Sequence, residues 1–507
     1  MQQPSESSIG RQVRGSGMLF AGRILAKFVN LGVQVAVVRL LTLEDFGAFA
    51  YGLALVLAGE LLVKLGLGRG AGRFIPHYYE HGEYDRLLGT LVLVCGTIMV
   101  LGTLGLGLTW LAYREAWAGF PSGDGGLVVL TLAVLAPVQA LDGVCIQILA
   151  TVAGPKQILF RRYFLGPLLK LTAVIVVFIL GGDVMMLALA YLSAGLIGLW
   201  ICLSVTIGAL KKSGVLPRRG DSAFPRIPFK PLLSFSLPMI SSDLVFVTQT
   251  AITSVVLMRI AGETEVAIIR AVVPMALLNT MVLQSFQMLF MPYATRAYAR
   301  GDLDALRNHH WQCVAWVTVA SFPLFVTCCA LAPIVVPLIL GSDYLPSALL
   351  LAILSLGHYA IVCLGFNADT LQLLGRTKAI VITDVTIIAV ATAAAIWLCP
   401  AHGALGAACA VTMGRIVGAL VRQRLLTRRQ VLGPPPAMLW RIWAGAGLAV
   451  GVSVWIGWAW APNAVLQFAL IGAVSLLLLR ATGSALALTS TFPALARVPL
   501  LTRIVGS

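Results

Sequence analysis

The chain is short of charge. Only 11 % of its 507 residues are Asp, Glu, Lys or Arg, against about 25 % in ordinary soluble domains. Acidic side chains are the scarcer kind: 20 Asp and Glu stand against 36 Lys and Arg, for a formal charge of +16. Those deficits exclude a soluble enzyme and a disordered chain, because hydrophobic residues fill 59 % of the positions and the mean hydropathy is +0.93. The nine cysteines form no CxxC pair. Most lie inside apolar runs (Cys95, Cys145, Cys328, Cys329, Cys363, Cys409), so they read as small buried hydrophobes rather than a disulfide scaffold. No GxxxxGK[ST] stretch is present, which removes P-loop nucleotide hydrolysis, and no cofactor motif is apparent. A cleavable leader is not expected either: the basic start (Arg11, Arg14) runs into a segment carrying Arg23 and Lys27, which an h-region does not tolerate.

What remains is long apolar runs. A span needs roughly 20 residues to cross about 30 Å of hydrocarbon. Fourteen candidates meet that need, at about 17–40, 46–66, 87–112, 127–152, 163–181, 184–210, 232–260, 267–292, 311–340, 346–374, 379–400, 405–426, 439–461 and 464–486. They are too long for barrel strands, so each is expected as a helix that satisfies its own backbone. The fold class is therefore an all-α polytopic membrane protein. In a soluble protein the basic surplus would point to nucleic acid; here the Lys and Arg collect in alternate connections, while the others carry acids or no charge, Arg114 in the connection at about 113–126 excepted. That alternation places both termini in the cytoplasm and excludes a nucleic-acid partner. Trp440, Trp443, Trp458 and Trp460 bracket span 13 as interfacial anchors do.

The longest basic connection, 211–231, is rich in Pro, Lys and Arg and reads as a cytoplasmic linker between two halves. The halves match at an offset of about 220 residues. Arg39 with Glu44 and Asp45 corresponds to Arg259 with Glu263 and Glu265, Phe74–Pro76 and Gly82 to Phe290–Pro292 and Gly301, and Gly154–Lys156 to Gly375–Lys378. The run at 183–198 lines up likewise with 403–418. The expected organisation is an N-terminus at 1–16, a six-helix lobe at 17–210, the linker, a second lobe at 232–428, two added helices within 439–486 and a cytoplasmic tail at 487–507. Parallel repeats of this kind are a transporter signature.

Ionisable groups inside spans are costly, about 2.5–3.5 kcal/mol each on insertion scales, and so mark candidate sites. Arg23, Lys27, Asn30 and Gln34 follow a 4, 3, 4 spacing on one stripe of span 1. Two cations on a wet face suit a phosphate or diphosphate; the alternative is that Arg23 and Lys27 snorkel to the surface. Glu60 and Lys64 stand at i, i+4 and read either as a neutralising pair or as part of the same cavity. Gln139, Asp142 and Gln147 lie in span 4, and Arg270 and Gln284 in span 8. Asp243, Asp369 and Asp142 are the candidates for a coupling ion, H+ or Na+, with the membrane potential as the other drive. Arg415 and Asp384 are read as a possible mutual pair. His77–His81 fits HxxEH but lacks a third ligand, so a wetted amphipathic helix is the reading and no metal site is expected. Asp302 and Asp304 are expected to open a short helix at 302–308. The connections on the outer side are short, the longest about 113–126, which argues against an enzyme.

GRILAKFVNLGVQVAVVRLLTLEDFGAFAYGLALV at 22–56 and GLGRGAGRFIPHYYEHGEYDRLLG at 66–89 resemble the polysaccharide exporters of the multidrug/oligosaccharidyl-lipid/polysaccharide flippase superfamily. The resemblance implies two MATE-like, pseudo-symmetric six-helix lobes around a central cavity in a bacterial cytoplasmic membrane. It also implies alternating access that moves an undecaprenyl-diphosphate-linked oligosaccharide outward, with polysaccharide polymerase and chain-length machinery as partners. By position Arg23, Lys27 and Lys64 match the cationic residues of such a cavity. A lipid II flippase of the same superfamily, a cation-coupled drug antiporter and a membrane glycan polymerase or ligase are the alternatives.

Overall fold

The computed structural model describes residues 6–117, 120–121, 123–152, 159–215, 225–247, 253–428, 431–460 and 463–483, with the backbone alone for 6–21 and for a few positions inside other helices. Among the described residues every regular element is helical. The chain divides into two compact units, Met1–Ala267 and Ile268–Ser507. The division falls within a helix, not in the expected linker, whose residues 216–224 lie outside the described part; so does the expected tail.

The first unit holds α1 (Glu6–Leu40), α2 (Leu43–Lys64), α3 (Leu67–Glu80), α4 (Tyr84–Arg114), α5 (Gly123–Ala133) and α6 (Leu135–Val152). A π-turn at Leu159–Leu165 leads into α7 (Gly166–Leu180), followed by α8 (Val184–Lys212), α9 (Phe229–Val247) and the start of α10 (Thr253–Leu277). Local chemistry sets the ends. Thr42 caps α2 by accepting from Asp45 N at 3.2 Å, and Asp183 caps α8 by accepting from Met186 N at 2.8 Å. Glu44 and Asp45 sit in the first turn of α2 and Lys64 in its last, which suits the helix dipole. α3 is the expected amphipathic helix: Leu67, Gly70, Ala71, Ile75 and Tyr78 are buried, at helical spacing. α6 packs on α2 and α8, α5 on α2 and α8, and α7 on α1 and α8.

The second unit continues with α11 (Met281–Ala299), α12 (Leu303–Cys329), α13 (Ala332–Leu340), α14 (Ser347–Leu364), α15 (Asn367–Leu373), α16 (Thr377–Arg428), α17 (Ala437–Val454) and α18 (Ala464–Gly483). The 52 residues of α16 are two helices joined at Gly403 (φ 52°, ψ −130°). Its arms double back on each other. A Cβ at Gly406 would stand 2.4 Å from the Leu398 carbonyl oxygen, and one at Gly418 2.2 Å from Ile387 Cγ1. Gly414 and Gly418, four apart, thus let the two arms meet closely, as small residues do between membrane helices. α12 carries α17 and α18, and Trp458 donates to the Cys329 carbonyl at 3.0 Å. Trp440, Trp458 and Trp460 are exposed toward the ends of that hairpin, where anchors are expected.

Among the described residues, eleven helical stretches are long and apolar enough to cross a membrane, by length and composition, and α16 is one of them with two arms. Residues 248–252 of the expected span 7 lie outside the described part, between α9 and α10, and α10 bends at Gly262 (φ 83°), just past that span. Two sequence expectations are corrected. Span 9 breaks at Ala330–Leu331, where Pro333 opens a new short helix. The acidic pair at 302–304 opens a 27-residue helix rather than a short one, with Asp302 capping Ala305 N and Asp304 paired to Arg307 at 2.7 Å.

One match between the halves recurs in backbone detail. After α3, Gly82 (φ 71°) donates to Tyr79 O and Glu83 to Tyr78 O. After α11, Gly301 (φ 74°) donates to Tyr298 O and Asp302 to Ala297 O. Pro76 and Pro292 lie inside the two preceding helices.

Candidate functional site

A cavity of about 440 Å³ opens within the first unit, walled by α1, α2, α6, α7, α8 and the π-turn. Its polar lining gathers residues that are far apart in sequence. Asn30 comes from α1, Glu60 and Lys64 from α2, Gln139, Asp142 and Gln147 from α6. Arg161, Lys170 and Tyr191 complete it from the π-turn, α7 and α8. Three cations thus face two carboxylates.

The charges are partly neutralised in place. Lys64 Nζ lies 2.6 Å from Glu60 Oε1, one helical turn away, with both side chains about four-fifths removed from solvent. Arg161 donates to the Asp142 carboxylate; these side chains are 11 % and 21 % exposed. Such pairing is what makes charge tolerable in a low-dielectric wall. Lys170 is the third cation, reached by Glu60 through its field and accessible from the cavity. Two glycines make room for the cations. A Cβ at Gly143 would stand 3.1 Å from Lys64 Nζ, and one at Gly198 3.1 Å from Arg161 Nη2. Gln147 presents a buried amide oxygen with no hydrogen-bond partner among the described residues, an acceptor left for a hydroxyl group.

The structure therefore brings together Asn30, Glu60, Lys64, Gln139 and Asp142 of the expected set. Glu60 and Lys64 satisfy both readings given them, being an intrahelical pair and cavity wall at once. Arg23, Lys27 and Gln34 are half-buried on α1 and stand outside the residues that line this cavity, while Asn30, on the same helix, donates to Ala26 O at 2.7 Å. Arg270 and Gln284 belong to the second unit, half-buried, with Gln284 3.4 Å from Thr280 Oγ1. Each coupling candidate already has a donor: Asp142 has Arg161, Asp243 takes Arg69 at 2.8 Å, and Asp369 takes Gln287. Asp384 is paired with Arg422 at 2.8 Å, and Arg415 stands with Nη1 2.6 Å from His358 Nε2, so the expected Arg415–Asp384 pair gives way to two others. Arg161 and Lys170 are the site residues that sequence reasoning missed. In the sequence Arg161 is one more cation of a basic connection, and nothing there sets it apart. The signal for Lys170 was a lone cation in the apolar run at 166–180, the kind of position that marks a site.

A model of the polysaccharide biosynthesis protein family matches residues 12–298. The chain belongs to this family. Three solved structures share its fold. The lipid II flippase MurJ in an inward closed conformation has a TM-score of 0.68 at 14 % identity, over 94 % of this chain and 100 % of that one. An inward-facing multidrug resistance MATE family transporter of the MOP superfamily has 0.62 at 16 % identity, over 80 % and 94 %. The MATE multidrug transporter DinF-BH has 0.59 at 13 % identity, over 85 % and 98 %. No curated protein matches. The family member is thus an all-α, multi-pass membrane protein with the MOP-superfamily fold.

Proposed function

We propose that this family member is a transporter that flips an undecaprenyl-diphosphate-linked oligosaccharide across the cytoplasmic membrane by alternating access, during export of a surface polysaccharide. The observation that carries the reading is the cavity among the spans, with three cations, two carboxylates and a row of amides. A diphosphate head with attached sugars crosses hydrocarbon only if its charges and hydroxyls find partners on the way. Lys64, Arg161 and Lys170 supply cations for phosphate oxygens, and Asn30, Gln139 and Gln147 supply amides for hydroxyls. Arg23 and Lys27 lie on α1 as further cations along the route of the head. The polyprenyl tail stays in lipid throughout. The six-helix sets at 17–210 and 232–428 are read as the alternating lobes, and both termini as cytoplasmic. The partnered state of Asp142, Asp243 and Asp369 favours the membrane potential over a bound cation as the drive, since each carboxylate would first have to release its donor. Polymerase and chain-length machinery are the expected recipients on the far side.

The test is reconstitution of the full chain in vesicles holding either an undecaprenyl-diphosphate-linked oligosaccharide or lipid II. Sidedness is read with a membrane-impermeant glycan-oxidising reagent. Oligosaccharide-lipid should become accessible faster than in empty vesicles, and the Arg23→Ala/Lys27→Ala and Lys64→Ala/Lys170→Ala variants should lose that gain. Acceleration of lipid II alone would move the assignment to the peptidoglycan precursor. Acceleration of neither would overturn it.

A further inference from the structure

The short helix α3 lies between the cavity wall and α9. On one side a Cβ at Gly68 would stand 3.5 Å from Lys64 Cδ and 3.8 Å from Gln147 Nε2, and one at Gly72 3.9 Å from Gln147 Cδ. Lys64 and Gln147 both line the cavity. On another side Gly66 and Gly70 form a notch for α9. A Cβ at Gly66 would stand 2.6 Å from the Ser236 carbonyl oxygen and 3.0 Å from Ile240 Cγ1, and one at Gly70 2.9 Å from Leu232 Cδ1 and closer still to Ser236 Oγ. Leu232, Ser236 and Ile240 form one stripe of α9, each a turn from the next. Arg69 extends the contact to Asp243 at 2.8 Å, and the Arg73 guanidinium stands 4.6 Å from the centre of the Phe235 ring.

Three features suit this contact to opening. Its ion pair is a weak one, since the Arg69 side chain is 45 % exposed. Its centre is poorly satisfied: Ser236 is fully buried, yet its hydroxyl has no hydrogen-bond partner among the described residues, so separation frees it to be hydrated. Its joint lies at the start of α3, where Leu65 (φ 45°) and Gly66 (φ 69°) are both left-handed, a strained conformation for leucine. We propose that α3 is a lever between the cavity and α9. A polar head that draws on Lys64 and Gln147 turns α3 about Leu65–Gly66, withdraws the glycine notch from Ser236 and releases the Arg69–Asp243 latch. Release frees α9, the helix that carries the chain into the second repeat.

The inference rests on the proposed transport only for the identity of the head. The test uses the purified full chain in detergent, with Ser236→Cys as reporter, alkylated with N-ethylmaleimide and scored by mass spectrometry of the peptide holding position 236. In the closed notch the introduced thiol should label slowly. With no lipid present, adding Asp243→Asn should speed labelling about fivefold, the effect of losing a half-exposed pair. The reversal Arg69→Asp/Asp243→Arg should restore the slow rate, which general loosening of α9 would not allow. Gly68→Leu, which wedges α3 off Lys64 and leaves the pair intact, should speed labelling too. Cys202, fully buried on α8, must stay unlabelled throughout, which separates release from unfolding. Equal rates in the reporter and all its variants would overturn the latch whatever the substrate. Fast labelling for Asp243→Asn but not for Gly68→Leu would overturn the link to the cavity. Undecaprenyl diphosphate should then speed labelling of the reporter, and fail to do so once Lys64→Ala is added. No response to that lipid beside both lipid-free effects would uphold the lever and count against the transport reading alone.

Discussion

The Asp142–Arg161 pair gives the sharpest quantitative expectation. Asp142→Asn keeps the shape of the side chain and removes its charge, leaving a guanidinium that is 11 % exposed without its anion. Two unit charges about 4 Å apart attract by about 4 kcal/mol at an effective dielectric of 20, and desolvation offsets much of that. Breaking a fully buried pair costs about 3–5 kcal/mol, whereas surface pairs are worth about 0–1 kcal/mol. The pair lines a cavity that admits water, and Asp142 is 21 % exposed, so the cost falls between these limits. We expect about 2 kcal/mol, or roughly thirtyfold in the unfolding equilibrium. Arg161→Gln should cost a similar amount. The double variant should cost clearly less than the sum, with a coupling of about 1 kcal/mol or more, since no unpaired charge remains. Equilibrium unfolding in mixed detergent micelles, followed by tryptophan fluorescence, measures the cycle. Effects that add within about 0.3–0.5 kcal/mol would refute the argument that neutralisation holds these charges in the wall. Gly198→Ala should partly mimic Arg161→Gln, because its Cβ would press on Arg161 Nη2.

Three further expectations follow from single contacts. Gly47→Ala places a Cβ 2.2 Å from the Glu263 carbonyl oxygen, which is backbone, so α2 must shift from α10 at about 1–3 kcal/mol; Gly105→Ala on α4 meets nothing within 4 Å and should be neutral or stabilising by about 0.5–1 kcal/mol. Thermal unfolding of the two side by side decides it, and equal behaviour would discredit the packing of α2. Lys170→Ala, taking away the third cation of the cavity, should lower vesicle flipping at normal protein levels, while Lys170→Arg should retain most of it; loss of folded protein in both would make Lys170 structural. Asp243→Asn should leave any sodium or proton dependence of flipping unchanged, since that carboxylate holds Arg69 at 2.8 Å; abolished dependence would return Asp243 to the coupling role.

The helices were legible in the sequence because a bilayer imposes its own arithmetic on length and polarity. The interruptions were less so. Hydropathy runs unbroken across 329–334, and only Pro333, a good first-turn residue, marks the new start. The bend at Gly262 and the reversal at Gly403 are single glycines among fifty, distinguished by backbone conformation rather than by their neighbours. The site divides the same way. Glu60 and Lys64 are visible from i, i+4 spacing alone, because one helix sets their distance. Asp142 and Arg161 lie on different elements, and nothing in the spacing of 19 residues tells that they meet.

Spacing along the chain displays the charges in the spans but hides their partners. A lone ionisable residue in an apolar run looks expensive when its partner cannot be seen. Folding supplies that partner: Arg161 for Asp142, Arg69 for Asp243, Arg422 for Asp384. Each pair converts an apparent binding charge into a largely settled account with its neighbour, and the cavity keeps only a small cationic surplus. A small surplus is also what transport requires. A wall of bare cations would hold a diphosphate too tightly to release it, whereas pairs that must be reopened lower the net gain of binding. The pairing of the cations with carboxylates is thus expected to set the rate of release, and Asp142→Asn should slow flipping by holding the head more tightly.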